Sequence, residues 1–252
     1  MLSIVIITKN EAHAIEDCLQ SAAWAEEIIV VDSGSTDETV SICQKMGANV
    51  TTTYDWPGFG KQKNRALALA TQPWVLSIDA DERITPELKN EIKHVIAMNK
   101  DASYRVPRSS SYCGQFIEYS GWTPDYTTRL FKMGHGKFSD DLVHERLLTE
   151  HPTETLKNPL QHISYIDLEE VLDKVNRYST AGAAMSSAKG KSSTLGKAIR
   201  HGIWAFLRTY FFRLGFLDGK MGFVLAISNA ETTYYRYLKL ALLSQTNKKL
   251  LD

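Results

Sequence analysis

The chain has 252 residues, of which 43% are hydrophobic and 23% are charged, a composition typical of one large globular domain or a domain with an appendage. Its formal net charge is zero, yet residues 1–173 carry 16 Lys/Arg and 26 Asp/Glu (net −10), whereas residues 174–252 carry 13 and 3 (net +10). An acidic body fits a metal-assisted site, and a basic tail predicts an anionic binding surface such as phospholipid or nucleic acid.

Short β-branched runs and helical patterns alternate over the first hundred residues, which predicts parallel strands joined by helical crossovers. We predict strands at 2–7, 28–31, 49–54 and 74–78, and helices at 12–23, after 38, at 61–70 and from 86 onward. The segment from Ser35 to Glu38 has capping-box form, and Gly47 fits the end of the helix that follows it. Thr85 followed by Pro86 predicts a capped helix start.

From residue 102 to about 164 the pattern changes to short mixed runs with aromatic residues and glycines, which predicts smaller, partly antiparallel strands and loops. Asp167 fits the N-cap of a further helical region, and nearly everything up to Leu251 has a helical pattern. We predict breaks in that region at Gly190, Gly215 and Gly219.

Polar side chains stand where three of the predicted strands end. Thr8 and Glu11 follow the first strand, Asp32 ends the second, and Asp79 and Asp81 follow the fourth. Ligands of an open parallel sheet bind beyond the carboxyl ends of its strands, so these residues are candidates for one site. Two carboxylates one residue apart can hold a hard divalent cation against a phosphate-bearing ligand. Taken alone, each segment also fits a polar loop that caps the next helix.

Four segments occur in a specific order: IVIITKNE at 4–11, IVVDSGSTDET at 29–39, KNRA at 63–66 and SIDADE at 77–82. Together they resemble the family 2 inverting glycosyltransferases, whose GT-A fold is a Rossmann-like mixed α/β sheet that binds nucleotide-diphospho-sugars. The resemblance implies three roles: uridine binding for Thr8, Glu11 and Asp32, a position near the diphosphate for Lys63, and an Asp-x-Asp site for Mg²⁺ or Mn²⁺ at Asp79 and Asp81. Asp79 then contacts both the donor and the metal. Many relatives have Arg in place of Lys63, which weakens a bidentate phosphate contact there.

An inverting transferase also needs a base that takes the proton of the acceptor hydroxyl. The segments TRLFK at 128–132 and VHERL at 143–147 are similar to a second-half pattern of bacterial relatives, in which the carboxylate after His lies near the acceptor. We therefore predict Glu145 as the base, with Asp125 as runner-up and the pair Asp140 and Asp141 as a further rival. An ion pair of Glu145 with Arg146 or Arg129 is the purely structural alternative. The histidines of this region, His144 and His162, stay outside the predicted set because a single His is more often structural.

The basic tail contains a stretch, residues 195–214, that separates on a helical wheel. Its predicted apolar face comprises Leu195, Ile199, Ile203, Phe206, Tyr210 and Leu214, while Lys197, Arg200, His201 and Arg208 share the other face with Trp204. Residues 195–220 thus form a candidate amphipathic helix for an anionic membrane surface; an ordinary helix packed on the core is the alternative. The segment 216–222, FLDGKMG, resembles a C-terminal stretch of lipopolysaccharide and capsule glycosyltransferases. Nucleic acid is the poorer explanation of the charge, since no recognition fold accompanies it.

The resemblance extends to the lipopolysaccharide core β-glucosyltransferases of Gram-negative bacteria. It implies a metal-dependent enzyme that transfers a hexose, glucose from UDP-glucose in the first place, to a lipid-anchored saccharide such as the lipopolysaccharide inner core. Alternatives are transfer to another cell-surface polysaccharide and a non-catalytic membrane scaffold.

We expect a GT-A catalytic domain at 1–165, with a nucleotide-sugar half at 1–100 and an acceptor-side half at 101–165, and a helical region at 166–252. The three scattered cysteines predict a reducing compartment. The predicted location is the cytoplasm, peripheral on the inner membrane, because neither a signal peptide nor a membrane span is evident.

Overall fold

The computed structural model describes residues 1–140 and 145–249. The chain forms two compact units: Met1–Ser109 with Pro124–His162, and Ser110–Thr123 with Ile163–Asp252. Residues 110–123, which the sequence assigns to the catalytic domain, thus belong to the same unit as the C-terminal helices.

The strands in chain order are β1 (Leu2–Thr8), β2 (Glu27–Asp32), β3 (Asn49–Thr52), β4 (Trp74–Asp79), β5 (Glu82–Ile84), β6 (Ser103–Tyr112), β7 (Gln115–Phe116), β8 (Tyr126–Lys132), β9 (Lys137–Phe138), β10 (Leu147–Leu148), β11 (Thr153–Thr155) and β12 (Leu160–Tyr165). The helices are α1 (Ile15–Ala22), α2 (Thr39–Lys45), α3 (Phe59–Leu69), α4 (Pro86–Met98), α5 (Leu168–Ala188), α6 (Leu195–Leu207) and α7 (Gly219–Lys249). A π-helical turn spans Arg208–Phe212 and a 3₁₀ turn spans Gly215–Asp218.

Parallel strands form the centre of the first unit in the order β3-β2-β1-β4, as the β-branched runs predict. Every residue of β1 is buried, as expected for a strand covered on both faces. Alternate side chains of β1 enter different clusters: Ile4 packs with Leu19 of α1, and Val5 packs with Ala66 of α3. Burying such aliphatic side chains contributes roughly 1.5–3 kcal/mol each, which holds the helices on both faces of the sheet.

One predicted helix start in the first unit is confirmed and another is wrong. Thr85 caps α4 by accepting a hydrogen bond from the Leu88 amide at 3.1 Å, as predicted. The capping box predicted up to Glu38 is wrong, because α2 begins at Thr39 without a side-chain cap. The Asp37 carboxylate instead accepts hydrogen bonds from the amides of Thr39 and Ala12, so it connects two loops beyond the strand ends.

The later strands of the first unit are largely antiparallel, as predicted for residues 102–164. β8 pairs antiparallel with β4 and with β6, and Leu130 lies beside Leu76. β12 pairs antiparallel with β5, which puts His162 beside Glu82. These pairings bring residues from distant parts of the chain to the edge where β4 ends.

The second unit contains α5, α6 and α7 around a core that includes Tyr112, Val171 and Leu225. Asp218, buried in the FLDG segment, accepts hydrogen bonds from the amides of Glu118 and Tyr119 and from the Ser120 hydroxyl, over 2.7–3.2 Å. The segment that resembles other glycosyltransferases therefore has an internal role here, since its carboxylate fixes the loop after β7.

The predicted amphipathic helix at 195–214 is shorter than expected, because α6 ends at Leu207 and a π-helical turn follows. Its buried side consists of the small residues Ala198 and Gly202, and a Cβ on Gly202 would lie 3.0 Å from the Tyr234 Cβ in α7. The predicted apolar face is exposed at Leu195, Ile199 and Ile203, so at these positions it does not pack on the core. Across the described residues, no helix combines the length and apolar character needed to span a membrane.

Candidate active site

A cavity of about 610 Å³ opens in the first unit beyond the ends of β1 and β4. Thr8 and Glu11 line it together with Asp79 and Asp81, so four of the predicted ligands share one space. The exposed rings of Trp56 and Phe59, in edge-to-face contact at 4.9 Å between centroids, form part of its wall. Such rings provide an apolar surface for a base or a sugar face beside the carboxylates.

Two cations hold the Asp79 carboxylate at the cavity wall. Lys63 Nζ lies 2.9 Å from Oδ1, and Arg129 Nη2 lies 2.6 Å from Oδ2. Burial alone would raise the pKa of Asp79, but the charges of Arg129 and Lys63 outweigh burial and hold this pKa well below its ordinary value. Asp79 is therefore ionised at neutral pH, and both of its oxygens are fixed by the protein.

Arg129 connects Asp79 to a second carboxylate, that of the fully buried Glu82. Arg129 Nη2 lies 2.7 Å from Glu82 Oε1, and Glu82 Oε2 accepts a hydrogen bond from the Asp79 amide at 2.8 Å. Burial raises the pKa of Glu82, and the Arg129 charge offsets this only in part. Burial acts to lower the pKa of Arg129, but Asp79 and Glu82 raise it above its ordinary value. These three side chains form a charged support beneath the cavity.

Asp81 has a different partner, the imidazole of His162 in β12. His162 Nε2 lies 3.1 Å from Asp81 Oδ2, and both residues line the cavity. A carboxylate oxygen and an imidazole nitrogen are both good ligands for divalent cations such as Mn²⁺. The residues present thus fit a divalent ion at Asp81, whereas Asp79 would have to ligate it through oxygens that already contact Lys63 and Arg129.

Thr8 and Asp32 lie side by side in the β1–β2 register. The Thr8 hydroxyl oxygen is buried and has no hydrogen-bond partner among the residues that the structure describes. Asp32 is fully buried, and its carboxylate accepts hydrogen bonds from the Gly34 and Ser35 amides at 2.9 Å and from the Ser35 hydroxyl. Asp32 therefore shapes the loop after β2.

The ion-pair partner of Glu145 is Lys63. The sequence suggests Arg146 or Arg129 for this role. Glu145 Oε1 lies 2.7 Å from Lys63 Nζ, so Lys63 connects Glu145 with Asp79. Ser139, a few residues before Glu145, approaches helix α3 closely at Gly60. A Cβ on Gly60 would lie 1.7 Å from the Ser139 carbonyl oxygen. The predicted base is thereby fixed beside the Asp79 carboxylate.

The rival bases differ in their surroundings. Asp125 forms an ion pair with Arg108, whose Nη2 lies 2.6 Å from its Oδ2. Asp140 is exposed, and its predicted companion Asp141 lies outside the described residues, as does His144.

The sequence of this unit also matches a known family. Residues 3–156, more than half of the chain, fit the family model described as Glycosyl transferase family 2. The chain belongs to glycosyltransferase family 2. This membership, with the mixed sheet and the helical C-terminal region, confirms the GT-A fold predicted from the four segments.

Relatives of this glycosyltransferase align over nearly its whole length. An uncharacterized glycosyltransferase of Rickettsia bellii is 32% identical over 261 residues, covering 96% of this chain and 87% of its own. The lipopolysaccharide core biosynthesis glycosyltransferase LpsC of Rhizobium meliloti is 31% identical over 255 residues, covering 94% and 93%.

Two solved structures show partial similarity to this chain. S. aureus TarS 1-349 in complex with UDP is 16% identical, with a TM-score of 0.48 over 98% of this chain and 91% of that chain. Glucosyl-3-phosphoglycerate synthase of Mycobacterium tuberculosis, in complex with Mn²⁺, UDP and glucosyl-3-phosphoglycerate, is 28% identical. Its TM-score is 0.37 over 45% and 44% of the two chains.

Sequence reasoning missed several residues of this site. The sequence suggests Arg129 only as a possible partner of Glu145, although it holds Asp79. For His162 the sequence offers no signal beyond its residue type. Glu82 directly follows the Asp-x-Asp segment and stands between the charged residues Asp81 and Arg83, so the sequence gives no sign that it is buried.

Proposed function

We propose that this glycosyltransferase is a metal-dependent, inverting hexosyltransferase that uses a UDP-sugar, with UDP-glucose as the first choice. The observation that carries the proposal is the meeting of Asp79, Asp81 and His162 on one cavity wall with Thr8 and Glu11. The acceptor we favour is a lipid-anchored saccharide of the lipopolysaccharide inner core; the name of the R. meliloti relative, which refers to lipopolysaccharide core biosynthesis, supports the core as acceptor. Another cell-surface polysaccharide is the alternative acceptor.

The donor would contact the cavity through groups with suitable chemistry. The hydroxyl of Thr8, unpartnered among the described residues, and the carboxylate of Glu11 suit hydrogen bonds to the base and to the ribose hydroxyls of the donor. Asp32 supports the neighbouring loop. Lys63 adds positive charge beside the position we assign to the diphosphate. A divalent ion, Mg²⁺ or Mn²⁺, held at Asp81 with help from His162 and Asp79, would supply Lewis-acid stabilisation of the departing diphosphate.

Glu145 is the base in this proposal. Its carboxylate would take the proton of the acceptor hydroxyl while that oxygen forms a bond to the anomeric carbon and the bond to the diphosphate breaks on the opposite face. The 2.7 Å contact with Lys63 holds the carboxylate in place next to the Asp79 corner of the cavity. Such fixed positioning lowers the entropic cost of bringing the base and the acceptor hydroxyl together.

Donor binding can be tested by thermal unfolding of the purified chain with a panel of UDP-sugars, with and without Mn²⁺. The preferred donor should raise Tm by mass action, and the increase should depend on the ion. Asp81→Asn should lose the ion-dependent part, whereas Glu16→Gln, a change at an exposed position of α1, should keep it. A full ion-dependent shift in Asp81→Asn would refute the metal assignment.

Transfer is tested separately with radiolabelled donor and deacylated lipopolysaccharide core. Glu145→Gln should bind the donor with an unchanged Tm shift yet turn over at least about 10²-fold more slowly. Asp125→Asn, the rival, should keep most of the rate. A slow Asp125→Asn with a normal Glu145→Gln would assign the base to Asp125. Donor binding without any transfer by the unmodified chain would favour the scaffold alternative.

We also propose that the exposed part of the second unit contacts an anionic membrane surface. Ile199, Ile203 and Trp204 of α6 and Phe212 of the π-helical turn are each about half or more exposed, and Arg200 lies among them. Aromatic rings combined with basic side chains suit the headgroup region of anionic bilayers. This location would bring the enzyme close to a lipid-anchored acceptor on the cytoplasmic face of the inner membrane.

A further inference from the structure

A second cluster of ligand-type side chains lies in the first unit, away from the cavity described above. Asp101 follows α4, His135 lies in the turn after β8, and His151 lies between β10 and β11. Because Lys132 at the end of β8 pairs with Trp74 at the start of β4, these loops adjoin the edge of the sheet opposite to Asp79. At a rise of about 3.3 Å per residue, β4 alone separates the two edges by about 17 Å.

The three side chains converge at short range. His135 Nδ1 lies 3.5 Å from Asp101 Oδ1, and His151 Nδ1 lies 3.3 Å from Asp101 Oδ2. One ligand atom from each residue lies within 4.8 Å of the other two. The imidazoles are parallel within 8°, with centroids 3.7 Å apart. Three loops that are distant in sequence thus present two nitrogens and a carboxylate to one point.

The hydrogen bonding of one of these nitrogens is incomplete. His135 Nδ1 is buried and has no hydrogen-bond partner among the residues the structure describes, although Asp101 Oδ1 lies 3.5 Å away. A buried nitrogen without a partner is uncommon and points to a missing ligand.

We propose that Asp101, His135 and His151 bind a divalent transition-metal ion, with Zn²⁺ as the best fit. Two imidazole nitrogens with one carboxylate oxygen are ligands that Zn²⁺ accepts, whereas Mg²⁺ prefers oxygen alone. His135 and His151 line a cavity of about 680 Å³, which gives an ion access to the two imidazoles. The ion would tie three loops together at an edge of the sheet that the donor site does not use.

Binding requires a small rearrangement. Two nitrogens on a tetrahedral Zn²⁺ at about 2.0–2.1 Å lie about 3.4 Å apart, but each lone pair must point at the ion within its ring plane. The stacked rings do not meet the second condition, so one imidazole has to turn about its Cβ–Cγ bond. The basic residues Lys137 and Arg146 that line the same cavity oppose a cation, which makes the charge of Asp101 essential.

The test uses the full chain in an Asp81→Asn background, so that the site at the other edge does not contribute. After chelator treatment, calorimetric titration with ZnCl₂ should show one ion per chain and a raised Tm. His135→Gln and His151→Gln should each weaken Zn²⁺ binding at least about tenfold, whereas His94→Gln, at an exposed position of α4, should not change it.

Folding of each variant is checked by far-UV circular dichroism, and Asp101→Asn provides a substitution that preserves volume. Loss of binding in the three site variants with unchanged spectra supports the proposal. Unchanged Zn²⁺ affinity in both His variants, or no stoichiometric binding in the parent, overturns it. Because neither His contacts the donor cavity, Mn²⁺-dependent donor binding in the His variants of the otherwise native chain should persist. The outcome is therefore independent of the proposed transfer activity.

Discussion

Arg129 contacts two carboxylates at once, Asp79 at the cavity wall and Glu82 in the interior. Removing its charge leaves Glu82 buried, with Arg108 at 3.7 Å as a weaker neighbour. We expect Arg129→Met to lower the free energy of unfolding by about 3–5 kcal/mol, because a buried carboxylate loses its partner. Urea unfolding at pH 7 measures this loss.

The matched control is Arg65→Met, which removes an exposed arginine paired with Asp55. Exposed pairs contribute little because water screens both charges, so its effect on unfolding should be far smaller. If the two variants lost similar stability, the buried cluster would not have the energetic role assigned to Arg129.

Glu27 gives a prediction about pH. Its carboxylate accepts hydrogen bonds from the Ser3 hydroxyl and from the Thr71 amide and hydroxyl. Burial opposes ionisation, but these hydrogen bonds outweigh it and lower the pKa of Glu27 below its ordinary 4.5. A depressed folded-state pKa stabilises the fold above the unfolded-state pKa, and this contribution is lost as pH falls through the folded-state pKa.

The stability difference between the native chain and Glu27→Gln should therefore be about 1–2 kcal/mol near pH 7 and should shrink below pH 4.5. Urea titrations at several pH values measure it. The exposed Glu16→Gln should show no such trend. A difference for Glu27→Gln that grew on acidification would contradict the assigned sign.

At the scale of elements, close backbone approach decides how α7 packs in the second unit. A Cβ on Gly222 would lie 1.9 Å from the Gly215 carbonyl oxygen of the 3₁₀ turn, which leaves no space for any side chain. We expect Gly222→Ala to destabilise this unit by about 1–3 kcal/mol through overpacking. Thermal unfolding followed by far-UV circular dichroism reports the change.

Gly196 in α6 is the control because a Cβ there meets nothing within 4 Å. Gly196→Ala should leave Tm unchanged or raise it, since alanine favours the helix. Equal destabilisation by both substitutions would contradict the role assigned to the close contact between Gly222 and Gly215.

Comparison of the predicted and observed helix boundaries shows which sequence signals were sufficient to locate a helix. Thr85 and Asp167 predicted helix starts correctly, because an N-cap needs only a local hydrogen bond. The capping box ending at Glu38 failed, because Asp37 contributes its oxygens to loop amides, including that of Ala12, 25 residues away. The wheel over 195–214 had the right period and an apolar face that is exposed at Ile199 and Ile203, but it gave no sign that the small residues Ala198 and Gly202 form the buried side of α6.

At the scale of the whole molecule, the opposite net charges of residues 1–173 and 174–252 predict salt-sensitive membrane binding. We expect the chain to sediment with anionic vesicles at low salt and much less with neutral ones. Arg200→Glu with Arg208→Glu should weaken binding at least about tenfold, because each basic residue contributes about 1 kcal/mol at such surfaces.

The control for that experiment reverses two exposed charges of the first unit, Lys45→Glu with Lys93→Glu, which changes net charge equally. This variant should bind anionic vesicles nearly as well as the native chain. Equal sedimentation with neutral and anionic vesicles, or with neither, would exclude an electrostatic membrane surface.

The sequence by itself determined the α/β class, the strand ends and the edge at which Asp79 and Asp81 lie with Thr8. These features depend on local periodicity and on the rule that parallel strands end together. Only the tertiary structure decided that Arg129 and His162 join them. Their strands pair antiparallel with neighbours about fifty and eighty residues earlier, and a pairing between distant segments leaves no periodic signal in either. The same holds for Asp101, His135 and His151, whose loops meet only once the sheet has formed.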